Sequence, residues 1–221
     1  MLGKMITGGS LPKAQLRAGV RARRAARLEA SDPARRAAQD ALTAQVSALV
    51  DARGPAAVVG YASLPGEPSL DADLERLIDA GVPVLLPTTR KGEPLLLGQV
   101  TGPLDELPRG TWDIREPHSP LPAPEAVAGS PAHGTVLVLV PGLAYDAHGV
   151  RLGNGGGFYD RTFGPRGLLA DPRHAALRAR LEFVGVCWDE ERADALPQAA
   201  WDLTVVAVVT ETGLHTVSST T

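Results

Sequence analysis

Residues 135 to 142 read TVLVLVPG, an apolar run without the in-and-out alternation of a half-exposed strand. Such a strand must be covered on both faces, the condition met inside a mostly parallel sheet flanked by helices. The chain supplies matching pieces on either side. AAVVGYAS (56–63) and VPVLLP (82–87) read as short strands, and between them Leu70, Leu74, Leu77 and Ile78 mark a helix stopped by Gly81. That spacing predicts a βαβ unit. PLLLGQV (94–100), FVGVCW (183–188) and LTVVAVVT (203–210) read as further strands, and Asp171-Pro172 opens a late helix. The expected fold class is therefore α/β: a single domain with a mostly parallel central sheet, helices on both faces and two N-terminal helices.

The first of those helices is expected from Ser10 or a neighbour to about residue 30, through an Ala/Arg-rich run. The second starts with Asp32 as N-cap and Pro33 at the first helical position. It repeats Ala38, Leu42, Val46 and Leu49 at helical spacing and ends at Gly54. Residues 102–134 hold seven prolines and no clear periodicity, which suggests a surface-hugging connection rather than a second domain. Residues 1–9 lack the apolar core of a secretory signal and read as a disordered extension. The domain is expected over residues 10–215, with a tail at 216–221.

Hydrophobic residues make up 44% of the 221 and no stretch is apolar enough to span a bilayer, so a membrane role is not expected. The net charge of -3 gives no general attraction to nucleic acid, although positive charge is crowded into the first 36 residues. The single cysteine, Cys187, can make no internal disulfide, which fits a reducing cytoplasm. The five histidines (118, 133, 148, 174 and 215) show no metal-ligand spacing and no nucleophilic partner, so no chemistry is assigned to them.

The stretch after the buried strand, LAYDAHGVRLGNGGGFYDR, places five glycines within residues 149–157. Ligands of open α/β folds bind at that edge of the sheet, and glycines let backbone N–H groups converge on an anion. A helix starting near Gly156 or Gly157 would add its positive end. The stretch is neither a Walker A motif nor GxGxxG. Arg151 and Arg161 bracket it with guanidinium groups suited to phosphate, and Asp160 offers a hard oxygen for a cation such as Mg²⁺. From composition alone a flexible glycine turn is the competing interpretation. The density of Arg, Tyr and Asp argues against it.

PGLAYDAHGVRLGNGGGFYDR (141–161) closely resembles the signature of the 5-formyltetrahydrofolate cyclo-ligase family, also called methenyltetrahydrofolate synthetases. Supporting matches run in order from LPKAQLR (11–17) through GEPSL, VPVLLP and TWDIREP to a closing LP…WD…VVTETG. The resemblance implies ATP- and Mg²⁺-dependent closure of 5-formyltetrahydrofolate to 5,10-methenyltetrahydrofolate, with release of ADP and phosphate. It implies ATP and a reduced folate as partners; a monomer is expected, with neither nucleic acid nor membrane as partner. It assigns Lys13, Arg17, Arg151, Gly153, Asn154, Gly155, Gly156, Gly157, Phe158 and Tyr159 to ATP, with Arg151 and Tyr159 in catalysis. Glu67, Trp112, Asn154 and Phe158 fall to the folate, and Asp160 and Asp202 to the metal. Asp146 is expected to brace the loop. Without the resemblance Lys13 and Arg17 would read as a solvated helix face, Trp112 as core or lid, and Asp202 as a strand-start cap.

Three positions depart from the family pattern: Asn154 stands where Arg is common, Phe158 where the first Tyr is usual, and Trp201 where His is usual. Arg161 or Arg166 is the expected substitute for the charge missing at 154. Two alternatives stay open here: an ATP-dependent kinase or ligase with another small substrate, and a folate- or nucleotide-binding regulator without turnover.

Overall fold

The computed structural model describes residues 11–29 and 31–218. The expected Ser10 cap, the extension at 1–9 and the last three residues of the expected tail lie outside the described residues. In chain order the elements are α1 (Lys13–Glu29), α2 (Asp32–Arg53), β1 (Ala57–Val59), α3 (Asp71–Asp79), β2 (Val84–Thr88), β3 (Leu96–Val100), β4 (Leu121–Pro122) and α4 (Ala123–Ala128). They continue with β5 (Val136–Pro141), β6 (Ala144–Asp146), β7 (Arg151–Leu152), α5 (Phe158–Phe163), α6 (Ala175–Arg178), β8 (Leu181–Val186), β9 (Arg192–Ala193), β10 (Ala207–Thr210) and β11 (Gly213–Thr216). The two N-terminal helices are present. Ser31, not Asp32, occupies the N-cap of α2: Asp32 is already helical, and its negative charge favours the first turn whether or not it caps.

Eight strands form the main sheet in the order β11-β10-β8-β5-β1-β2-β3-β4. The central run from β10 to β2 is parallel, and β3, β4 and β11 add antiparallel edges. TVLVLVPG becomes β5 at the middle of the sheet, and its side chains explain its lack of alternation. Leu137 and Leu139 join the core beneath α2 and α3, whereas Val136, Val138 and Val140 join the core beneath α4 and α5. Both faces are dry. The chain moves from β1 outward to β2, then returns to place β5 on the other side of β1, so strand order reverses between β1 and β5. That reversal opens a crevice at the carboxyl ends of the two strands.

Some expected strands are shorter than their apolar runs. AAVVGYAS contributes only Ala57–Val59: the Gly60 N–H still donates to the Leu85 carbonyl, and Tyr61 beyond it lines the cleft. FVGVCW shifts to Leu181–Val186, and LTVVAVVT pairs in the main sheet only from Ala207. Before Ala207, the Val205 N–H donates to the Gly149 carbonyl instead, tying that segment to the glycine stretch. The proline-rich span carries two 3₁₀ turns, β4 and α4, and adds no second domain. Asp171 does start the late helical segment, accepting the Arg173 N–H.

A second, three-stranded sheet in the order β7-β6-β9 has no counterpart in the sequence reading. Leu143, Ala144, Val150, Leu152, Ala193 and Leu196 form its apolar face, and Leu16 and Val20 of α1 pack on it. Asp146 braces the β6–β7 turn by accepting the His148 and Val150 N–H groups, and its second oxygen takes that of Leu196. Tyr145, fully buried, lies between the two sheets against Gly142 and Gly185, and its hydroxyl donates to the Val140 carbonyl. A Cβ at Gly185 would stand 2.6 Å from the Tyr145 ring, in the middle of β8. Gly185→Ala is therefore expected to destabilise the fold by about 1–3 kcal/mol through overpacking, measurable by denaturant unfolding. Cys187 is a buried free thiol, and burial pushes its pKa well up from the ordinary range.

Candidate active site

The crevice between β1 and β5 is a cleft of about 820 Å³. Its floor comes from strand ends: Tyr61, Ala62 and Leu64 after β1, Pro87 and Thr89 at the end of β2, and Pro141 at the end of β5. One wall is the glycine stretch, one is α1, and the rim carries Trp112 and Trp201. All fourteen residues assigned by resemblance line this one cleft.

α1 presents a cationic stripe at helical spacing. Lys13 Nζ lies 2.6 Å from Asp202 Oδ2, and Arg17 Nε donates to the Gly153 carbonyl at 2.8 Å. Arg21 Nη2 donates to the Asn154 carbonyl at 3.0 Å and meets its side-chain oxygen at 3.4 Å. Gly155 (φ 104°) and Gly157 (φ 69°) adopt left-handed backbone that L side chains rarely take. A Cβ at Gly157 would also meet Arg161 Nη1 at 2.7 Å. The helix expected after the loop is α5, only six residues long, so the cations dominate the electrostatics of this wall.

Arg151 Nη2 donates to Asp160 Oδ1 at 2.9 Å, and its guanidinium lies 5.2 Å from the Tyr159 ring centre. Burial pushes the Tyr159 phenol well above its ordinary pKa, and Arg151 opposes this only in part. Tyr159 is thus a hydrogen-bond donor across the physiological range. Its hydroxyl and Arg151 Nε are buried without a hydrogen-bond partner among the described residues.

At the opposite end, Glu67 Oε2 accepts the Leu64 N–H at 3.0 Å, while Oε1 accepts Arg24 Nη1 at 3.0 Å and Asn154 Nδ2 at 3.4 Å. Trp112 is 62% exposed and sits edge-on to Phe158, ring centres 6.0 Å apart. Trp112 and Asp113 have φ of 58° and 59°, an unusual pair for residues with side chains. Arg109 holds the turn by donating to the Asp113 carbonyl and carboxylate. Backbone strain kept in place this way is a common mark of a ligand-contacting turn.

A model of the 5-formyltetrahydrofolate cyclo-ligase family matches residues 10–211. The chain belongs to this family. Among its relatives, the 5-formyltetrahydrofolate cyclo-ligase of Mycolicibacterium smegmatis is 33% identical over 69% of this chain and 72% of its own length. The enzyme of the same name from Escherichia coli K12 is 32% identical over 69% and 76%. The solved structure of the Aquifex aeolicus 5,10-methenyltetrahydrofolate synthetase matches with a TM-score of 0.68, 25% identity and coverage of 96% and 95%. A Mycoplasma pneumoniae 5,10-methenyltetrahydrofolate synthetase shares the fold (TM-score 0.63, 14% identity, coverage 91% and 99%).

Set against the family pattern, the structure gives position 154 cationic company that the sequence reading did not assign. Arg21, rather than Arg161 or Arg166, reaches Asn154; Arg161 instead donates to the Gly156 and Glu93 carbonyls. Arg21 and Arg24 continue the spacing of Lys13 and Arg17, which is the signal that would have found them. Trp201, 55% exposed on the rim, follows the pattern of an aromatic residue left uncovered beside a cleft. Tyr61 and Thr89 were detectable only as residues following parallel strands.

No group of three or more His, Cys, Asp or Glu able to hold a metal occurs among the described residues. Mg²⁺ in phosphate chemistry needs fewer, one or two carboxylates with the phosphates and water completing the shell. Asp160 uses Oδ1 for Arg151 and the Leu203 N–H, and Asp202 uses Oδ2 for Lys13 and the Ala199 N–H. Among the described residues the second oxygen of each has no hydrogen-bond partner, a donor set that fits the ion. No helix among the described residues is long and apolar enough to cross a membrane.

Proposed function

We propose that this protein uses ATP to close 5-formyltetrahydrofolate to 5,10-methenyltetrahydrofolate, releasing ADP and phosphate. The observation that carries the reading is the single cleft in which a glycine loop with a cationic helix face lies opposite a carboxylate and an aromatic rim. A formamide oxygen is a poor leaving group. Transfer of the γ-phosphoryl to it breaks the terminal P–O bond of ATP, and attack by N10 on the formyl carbon then expels phosphate as the N10 proton is lost. The protein's part is placement and charge neutralisation.

Lys13, Arg17 and Arg151 face the triphosphate, with backbone of Gly153 to Gly157 fitting closely around it. Asp160 and Asp202 hold Mg²⁺, which neutralises charge on the phosphate oxygens when bound. Arg151 and the protonated Tyr159 donate toward the transferring group. Glu67 accepts from the N–H edge of the pterin, Trp112 and Phe158 pack on its ring, and Asn154 spans the two halves. Incubating the protein with 5-formyltetrahydrofolate, ATP and Mg²⁺ is expected to generate methenyl absorbance that disappears when ATP is omitted. Absence of that absorbance with all components present would overturn the reading.

A further inference from the structure

Arg24 lies at the far end of the stripe on α1 and is only 6% exposed. Nε and Nη2 grip the two oxygens of Glu191 at 2.6 and 2.9 Å, and Nη2 also donates to the Gly142 carbonyl at 2.6 Å. Burial alone would lower the guanidinium's pKa, and the hydrogen bonds and charge of Glu191 more than reverse this. That leaves Nη1, which donates to Glu67. The anchor is itself fixed: Glu191 accepts the Trp188 N–H, and Trp188 Nε1 donates to the carbonyl of Gly66, the residue before Glu67. Glu67 is thus held from its backbone and its carboxylate by one connected group.

We propose that Arg24 is the positioning residue for the folate: locked by Glu191 and Gly142, it sets the Glu67 carboxylate in the orientation that accepts the ligand's N–H edge. The inference rests on the reading of Glu67 as a folate-binding residue. A glutamate has three side-chain torsions, and a planar guanidinium clamped bidentately is a stiffer stop for its carboxylate than an ammonium on a flexible stem.

Arg24→Met alone strands a buried Glu191, so the informative variant is Arg24→Met/Glu191→Met, which replaces the whole pair with apolar side chains of similar size. Because it also takes the cation from Glu67 and the acceptor from the Trp188 N–H, it is expected to melt below the wild-type temperature but cooperatively, to raise KM for 5-formyltetrahydrofolate about tenfold and to leave KM for ATP within about twofold. Arg24→Lys should not restore the folate KM. In a Glu67→Ala background the pair replacement should raise KM no further, because the group it positions is gone. Multiplying effects in that background, or a parallel rise in KM for ATP, would show a general structural role and overturn the proposal. A wild-type protein that converts the folate, with an unchanged KM in the pair variant, overturns this proposal alone. A wild-type protein that leaves the folate unconverted overturns it together with the proposed function.

Discussion

Replacing Arg151 by methionine is expected to lower kcat roughly a thousandfold, the scale seen when a guanidinium is removed from a transferring phosphoryl group. Arg151 is buried on the short strand β7, where Asp160, the Pro141 carbonyl and the Tyr159 ring hold its guanidinium, and its Nε is left over. A charge kept in place by the fold and shielded from water needs no reorganisation as the transition state forms. Methionine preserves most of the packing against Tyr159 and leaves Asp160 at the edge of the cleft, where water reaches it. Unfolding of the Arg151→Met variant should therefore stay cooperative while turnover at saturating ATP and folate collapses. A kcat within tenfold of wild type would remove Arg151 from the reacting centre.

Asp160→Asn is the second large effect. The amide oxygen can still accept the Leu203 N–H, so the joint between α5 and residue 203 survives, but the charge offered to a cation is lost. The Mg²⁺ concentration giving half-maximal rate is expected to rise by about a hundredfold or more, exceeding the roughly 10–100-fold produced by changes one shell further out. Calorimetric titration of Mg²⁺ into protein carrying a non-hydrolysable ATP analogue should weaken in step. An unchanged Mg²⁺ dependence in both measurements would refute the metal assignment.

The parts of this fold that can be read in the sequence are those whose signal is local. TVLVLV is buried on both faces because α2 and α3 cover one side and α4 and α5 the other, and the absence of alternation states that directly. The glycine stretch is equally visible, since close backbone approach needs glycine at consecutive positions. The small sheet is not visible, because its strands are two or three residues long and β6 pairs with β9, far along the chain. The spacing of α1 places Arg24 on the stripe of Lys13 and Arg17, but its burial is not visible inside an Ala/Arg run, because its partners Glu191 and Gly142 lie 167 and 118 residues away. Lys13, Glu67, Trp112 and Asp202 are legible only through the family resemblance, because nothing in their immediate neighbours separates them from ordinary surface residues.

The ion pair between Lys13 and Asp202 joins positions 189 residues apart, and α1 rests on strands drawn from the second half of the chain. During synthesis the first helix therefore emerges long before anything exists for it to dock on. β1, α3 and β2 can assemble early, but the cleft has no wall of cations until residues near 200 have left the ribosome. A nascent chain stalled just short of that point carries most of a sheet and a cleft that still lacks Asp202.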